Sequence, residues 1–132
     1  MIAVDANVLV RLLVNDDPAQ AAKARRLIDS QAAKDDTVWI ADTVLVELVW
    51  TLARAYARPR AELVLALRAL CGNATVQLES PAQVRQALDV FEQGPADFAD
   101  CLLCAKAQSL HCESVATFDL GMKGLPGVVL LA

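Results

Sequence analysis

The sequence predicts an α/β fold, a three-layer sandwich around a central parallel sheet of four or five strands, formed by residues 1–132 as one domain. Three observations predict it. Short apolar runs alternate with longer stretches of helical periodicity, which is the pattern of strand–helix–strand units. The first run, Met1 to Ala6, meets the acid Asp5, and the fourth, Ser114 to Thr117, stops just before Asp119. Acids at such places fit buried parallel strands that end at a crevice. The chain has 132 residues, the size of one domain, and should bury roughly two-thirds of its extended surface on folding.

Each element has a local reason. Met1 to Ala6 forms the first strand, and Val8 to Val14 stays apolar and turns helical. Asp17-Pro18 is an N-cap followed by proline at the first helical position. The helix it opens spaces Ala21, Ala24, Leu27 and Ile28 along one face, with Lys23, Arg25 and Arg26 outward. Thr37 to Ala41 forms the second strand. Asp42 or Thr43 then caps a helix to about Ala57, with Val46, Val49, Trp50 and Ala53 inside. Pro59 restarts a helix that closes at Cys71-Gly72, the glycine supplying a left-handed cap. Thr75 to Leu78 is the third strand. Ser80-Pro81 opens a helix carrying Val84, Leu88 and Phe91, which Gly94-Pro95 ends. Asp97 to about Leu110 is the last helix, and Val128 to Leu131 the fifth strand. Parallel neighbours of this kind are joined by right-handed crossovers.

Composition narrows the class. With 56% hydrophobic and 21% charged residues, the chain is neither disordered nor low in complexity. No apolar run reaches the ~18 residues of a membrane span, and the N-terminus lacks a basic segment before its first acid. The expectation is a cytoplasmic protein without membrane association. A net charge of −4 argues against nucleic-acid binding by bulk charge. It leaves room for a nuclease with a local basic rim, and it suits a basic partner. Cys101 and Cys104 form a C-x-x-C inside an apolar helical stretch, without a second pair at zinc spacing. Small buried hydrophobes are favoured over zinc ligands or disulfides for these two, Cys71 and Cys112.

The chemistry lies in the acids. Asp5 interrupts an apolar segment, where a charge is costly unless it is hydrogen-bonded, paired or bound to metal; the alternative is an N-cap. Glu47 is surrounded by apolar neighbours on its helix and is either cleft-facing or solvent-facing. Asp97 and Asp100 stand as D-F-A-D at a helix start, where Asp97 caps and Asp100 projects. Asp119 follows Thr117-Phe118, where turn formation is the alternative. Two ionised carboxylates ~5 Å apart repel by roughly 3 kcal/mol at an effective dielectric of 20. Four gathered in one crevice need either protons or a cation. All-oxygen ligands favour Mg²⁺ or Mn²⁺. The single histidine, His111, lies too far along its helix to serve as a base beside Asp100, and no Gly-rich phosphate loop is present.

At I-A-V-D-A-N-V-L-V-R-L-L, V-L-V-E-L-V-W, D-F-A-D-C-L-L-C-A-K-A and V-A-T-F-D-L-G-M-K-G-L-P-G-V, the sequence resembles the PIN-domain ribonucleases, specifically the VapC-type toxins of VapBC toxin–antitoxin pairs. The resemblance covers nearly the whole chain. It implies a PIN-like fold and a metal-dependent endoribonuclease holding one or two Mg²⁺ ions. Asp5, Glu47, Asp100 and Asp119 match the metal-binding and catalytic acids, with Asp5 and Asp100 the closest ligands. Asn7, Asp97 and Thr117 match supporting positions. The products implied are a 5′-phosphate and a 3′-hydroxyl, from a transfer or ribosomal RNA. Arg11, Lys23, Arg54, Arg58, Arg60 and Lys123 are candidates to guide RNA, each with solvated surface charge as its alternative. The resemblance also implies a homodimer and a VapB-type antitoxin that lays an apolar segment along a helical groove. Rival assignments are a PIN nuclease of RNA maturation, a catalytically silent PIN-fold binding module, and a haloacid-dehalogenase-type phosphatase. The last needs a second aspartate where this chain has Asn7.

Overall fold

The computed structural model describes residues 1–131 and is of mixed α/β class. Its elements run β1 (Ile2–Ala3), α1 (Ala6–Leu13), α2 (Pro18–Ala33), β2 (Val38–Ile40), α3 (Asp42–Arg54), α4 (Arg60–Cys71) and β3 (Val76–Leu78). They continue with α5 (Pro81–Gln93), α6 (Phe98–Ser109), β4 (Val115–Thr117), a single 3₁₀ turn (Leu120–Met122) and β5 (Val128–Leu130). All pairings are parallel, as the alternation of elements requires. The strands are distributed differently from the expected single sheet of four or five. β1, β2 and β3 form one sheet in that order, and β4 and β5 form a second. β1 is the shortest of the strands. The chain leaves the strand after Ala3, and Asp5 already caps the next helix, so β1 offers only a two-residue ladder.

Two compact units result, residues 1–81 and 82–132. In the first, Val38, Ile40, Leu45 and Leu48 have no accessible surface and Leu9 almost none. The helices α1 and α2 connect β1 to β2, and α3 and α4 connect β2 to β3. The start of α2 is as the sequence dictates: Asp17 accepts the backbone N–H of Gln20 at 3.1 Å, and Pro18 sits in the first turn. Arg11 ties three segments of this unit together. Its guanidinium donates to Gln20 Oε1 at 2.7 Å and Asp16 Oδ1 at 2.9 Å, while Tyr56 donates its hydroxyl to Asp16 Oδ2 at 2.9 Å. The Tyr56 hydroxyl and the Arg11 charge together hold the Asp16 carboxyl below its ordinary range.

Three expectations are corrected here. The N-cap of α3 is Ala41, not Asp42 or Thr43, and its side chain makes no capping bond. Glu79, beyond the end of β3, substitutes by accepting the Asp42 N–H at 3.1 Å, and Ser80 Oγ donates to Asp42 Oδ2 at 2.8 Å. Asp42 itself is buried. Second, the buried stripe of α3 is Leu45, Leu48, Val49 and Leu52, so Val46 is half-buried and Trp50 and Ala53 face outward. That stripe follows the i, i+3, i+4, i+7 spacing of one helix face, and Trp50 lies off it. Third, Gly72 is right-handed, with φ −89°. Asn73 makes the turn instead, its Oδ1 accepting the Thr75 N–H at 2.9 Å.

In the second unit, Val84, Ala87 and Leu88 of α5 are fully buried, and Phe91 meets Phe98 edge to face with ring centroids 5.9 Å apart. Cys101 and Cys104 are buried free thiols, as expected of small hydrophobes; Cys71 is half-buried and Cys112 exposed. Cys112 lies outside the core because α6 ends in a Schellman turn. His111 takes φ +59°, its N–H donates to Gln108 O at 3.0 Å, and the Cys112 N–H reaches Ala107 O at 2.9 Å. None of the described helices is long and apolar enough to cross a membrane.

Candidate active site

Backbone bonds at element ends place the acids. In the first unit Asp5 is exposed and caps α1, its Oδ1 accepting the Val8 N–H at 3.2 Å. The preceding Val4 is buried, so the chain surfaces within one residue. The carboxylate therefore does not carry the burial cost that its apolar neighbours suggested. Replacing Asp5 by alanine is expected to cost about 1 kcal/mol of stability, and replacing it by asparagine only a few tenths, because Asn caps as well as Asp. Urea denaturation in EDTA measures both; equal losses in the two variants would remove the capping role.

Asn7 follows on α1 and lines an open groove of about 440 Å³ with Val8, Arg11, Lys23, Ala24 and Leu27. Glu47 is exposed on α3, so it is not buried among its apolar neighbours. It shares that face with Thr43, Trp50 and Arg54. The Arg54 guanidinium lies 5.4 Å from the centre of the Trp50 ring.

In the second unit three acids interact. Asp97 is the N-cap of α6 and accepts the Asp100 N–H at 2.9 Å. Asp100, in the first turn, is half-buried. Asp119 follows β4, where its N–H donates to Thr117 Oγ1 at 3.0 Å and its Oδ1 accepts the Gly121 N–H at 2.7 Å. Thr117 thus positions the Asp119 backbone, and Asp119 caps the 3₁₀ turn. Burial pushes the Asp100 carboxyl up to about 6, with the Asp97 charge, a hydrogen bond to Asp97 and the Asp119 charge adding to it. The same crowding reaches one turn further: burial, then the Asp100 charge, raises the Cys104 thiol.

Gly121 escaped the sequence reading. A Cβ there would lie 3.0 Å from Asp119 Oδ1, so the bare backbone lets that carboxylate fold over its own turn. The D-x-G spacing was the available signal. Among the candidate RNA-guiding cations, Arg11 is engaged within the fold as described. Arg58 pairs with Glu62 at 3.2 Å. Lys23 and Lys123 are exposed, and Arg60 is half-buried in the first turn of α4.

Among the described residues, no group of three or more His, Cys, Asp or Glu side chains is arranged to hold a metal ion. The donor chemistry nevertheless fits a hard divalent cation. Asp97, Asp100 and Asp119 offer only oxygen, and their mutual repulsion is what a cation relieves.

An α/β protein with acids at the ends of its strands and the starts of its helices defines a class, and the comparisons identify the family. Residues 2–127 match the PIN domain, and the chain belongs to the PIN-domain family. It is also similar to a VapC ribonuclease of Aquifex aeolicus (strain VF5). The two are 21% identical over 121 residues, covering 92% of this chain and 89% of that protein.

Proposed function

We propose that this protein is a metal-dependent endoribonuclease and the toxin of a type II toxin–antitoxin pair. The observation that carries the proposal is the mutual charge of Asp97, Asp100 and Asp119 within a PIN-family chain. The family match runs through both compact units, which supports treating residues 1–132 as one functional domain.

Asp5, Glu47, Asp100 and Asp119 are the proposed catalytic and metal-holding acids, Asp5 and Asp100 being the primary ligands. One or two Mg²⁺ or Mn²⁺ ions would supply Lewis-acid stabilisation of the phosphate charge that grows in the transition state. The chain's own contribution is positional. Asp97 fixes the first turn of α6 and so aims Asp100. Thr117 and Gly121 hold Asp119 in its turn, and the cap formed by Asp5 keeps that carboxylate at the end of β1. Asn7, two residues beyond Asp5 in the first turn of α1, adds a neutral donor and acceptor. Of the candidate cations, Lys23, Arg54 and Lys123 are exposed and outside the ion pairs described, and they are the proposed contacts to an RNA backbone.

The homodimer and the antitoxin partner follow from the same kinship. A net charge of −4 suits a basic antitoxin, and Val8, Ala24 and Leu27 of the groove beside Asn7 offer an apolar strip for its segment. Purified protein incubated with structured transfer and ribosomal RNA tests the activity. Discrete internal cuts bearing 5′-phosphates are expected, and the sequenced 5′ ends identify the target. RNA left intact in both Mg²⁺ and Mn²⁺ would overturn the proposal.

A further inference from the structure

Among the described Trp, Tyr and Phe side chains only Trp50 and Phe118 are exposed, and each adjoins a proposed catalytic acid. Trp50 is the more informative. It is 59% exposed although it lies in the middle of α3, where an indole normally joins the core. It stands three residues after Glu47, hence one turn further along the same face and about 4.5 Å up the axis. Arg54, a turn beyond, lays its guanidinium over the ring at 5.4 Å. Among the described residues no carboxylate pairs with Arg54, so its N–H donors remain available.

An open aromatic face beside an uncommitted cation suits a ligand that presents a π face and an anion together. A nucleotide does both: its base stacks on the indole, and its phosphate meets the guanidinium. In a chain of net charge −4, such a cation must act locally rather than through the field of the whole protein. Only an unpaired nucleotide has its faces free, since duplex bases stack on each other.

We infer that Trp50 and Arg54 form a stacking platform for one unpaired nucleotide of the RNA, setting which nucleotide lies beside Glu47. The inference rests on the nuclease function proposed above, and it makes Trp50 a positioning residue rather than a catalytic one.

The test measures binding without cleavage. An unstructured RNA of about ten nucleotides, within the span that stacking grooves cover, is titrated against the full chain in EDTA. Tryptophan emission should be quenched in the parent and in Trp39→Phe, but not in Trp50→Phe. Trp50→Ala should weaken binding about tenfold, within the five- to hundredfold range of one lost stack. Trp50→Phe should stay within about threefold, because a ring is retained. Arg54→Gln should reduce the salt dependence of binding by about one phosphate contact. Blunt duplex RNA should bind Trp50→Ala and parent alike.

Unchanged single-strand affinity in Trp50→Ala overturns the inference. So does a Trp50→Ala protein that sediments as a smaller species while binding RNA normally, since the indole would then face a second copy. The two proposals fail separately. Trp50-dependent binding without any cleavage in Mg²⁺ or Mn²⁺ removes the nuclease and keeps the platform. Cleavage and binding that are equal in parent and Trp50→Ala remove the platform and keep the nuclease.

Discussion

The Asp100→Asn protein is expected to lose RNA cleavage by about 10² to 10³-fold while becoming more stable than its parent above pH 6. The two effects have one origin. Loss of one preorganised electrostatic group from an active site commonly costs that much in rate. The stability gain follows from the burial of the Asp100 carboxyl and from the charges beside it. In the folded protein its carboxyl is raised from 3.8 to about 6, first by burial and then by the charges of Asp97 and Asp119.

A raised carboxyl binds its proton more tightly when folded than when unfolded. Its cost to stability is therefore absent below pH 4, grows between pH 4 and 6, and is complete above pH 6. A shift of this size corresponds to about 3 kcal/mol. Asp100 is only half-buried, so solvent screening reduces the expected cost to about 1 kcal/mol. Asparagine keeps the shape and removes the charge. Thermal melts in EDTA should place Asp100→Asn about 3 to 5 °C above the parent at pH 7.5 and level with it at pH 4. A variant less stable than the parent at pH 7.5 would show that Asp100 is held by favourable bonds rather than by repulsion. Such a stability gain bought with lost activity is what a functional site predicts.

How much of this was legible in the sequence depended on the range of the interaction involved. Caps are local, so Asp17-Pro18 and the division of labour between Asp97 and Asp100 could be read from neighbours alone. The acid spacing likewise singled out Asp5 and Asp119, each at the end of a strand. The start of α3 could not be read that way, because the group accepting its first N–H is Glu79, thirty-seven residues on. In the sequence Trp50 reads as interior together with Val46, Val49 and Ala53. The phase of the helix is instead set by Leu45, Leu48, Val49 and Leu52, and a tryptophan off that stripe has nowhere to go but out. Gly72 looked like a left-handed cap, yet Asn73 closes that turn with its own side chain. The partition of the strands into two sheets was equally hidden, since each parallel ladder joins segments more than ten residues apart in the chain.

Removal of divalent cations has the other large expected effect: excess EDTA should abolish cleavage, and Mg²⁺ or Mn²⁺ should restore it. Stability gives a readout independent of RNA. A cation that binds only the folded chain stabilises it by RT ln(1 + [L]/Kd), or ~1.4 kcal/mol at ten times Kd. Mn²⁺ should therefore raise the melting temperature of the parent at pH 7.5 by a few degrees. The rise should shrink toward pH 5, where a proton on Asp100 competes with the cation. Asp100→Asn, with one charge fewer, should show little rise at any pH, although in EDTA it starts from the higher melting temperature. This crossing of effects separates a cation site from ordinary charge relief. If neutralising repulsion were all that mattered, monovalent salt at high concentration would stabilise the parent as well as Mn²⁺ does, because screening acts on exposed charges irrespective of coordination. Equal melting temperatures in molar NaCl and in millimolar Mn²⁺ would rule out coordination by these acids; stabilisation by millimolar Mn²⁺ alone requires ligands, and Asp100 is a carboxylate whose ionised form the fold disfavours through burial and the charges beside it.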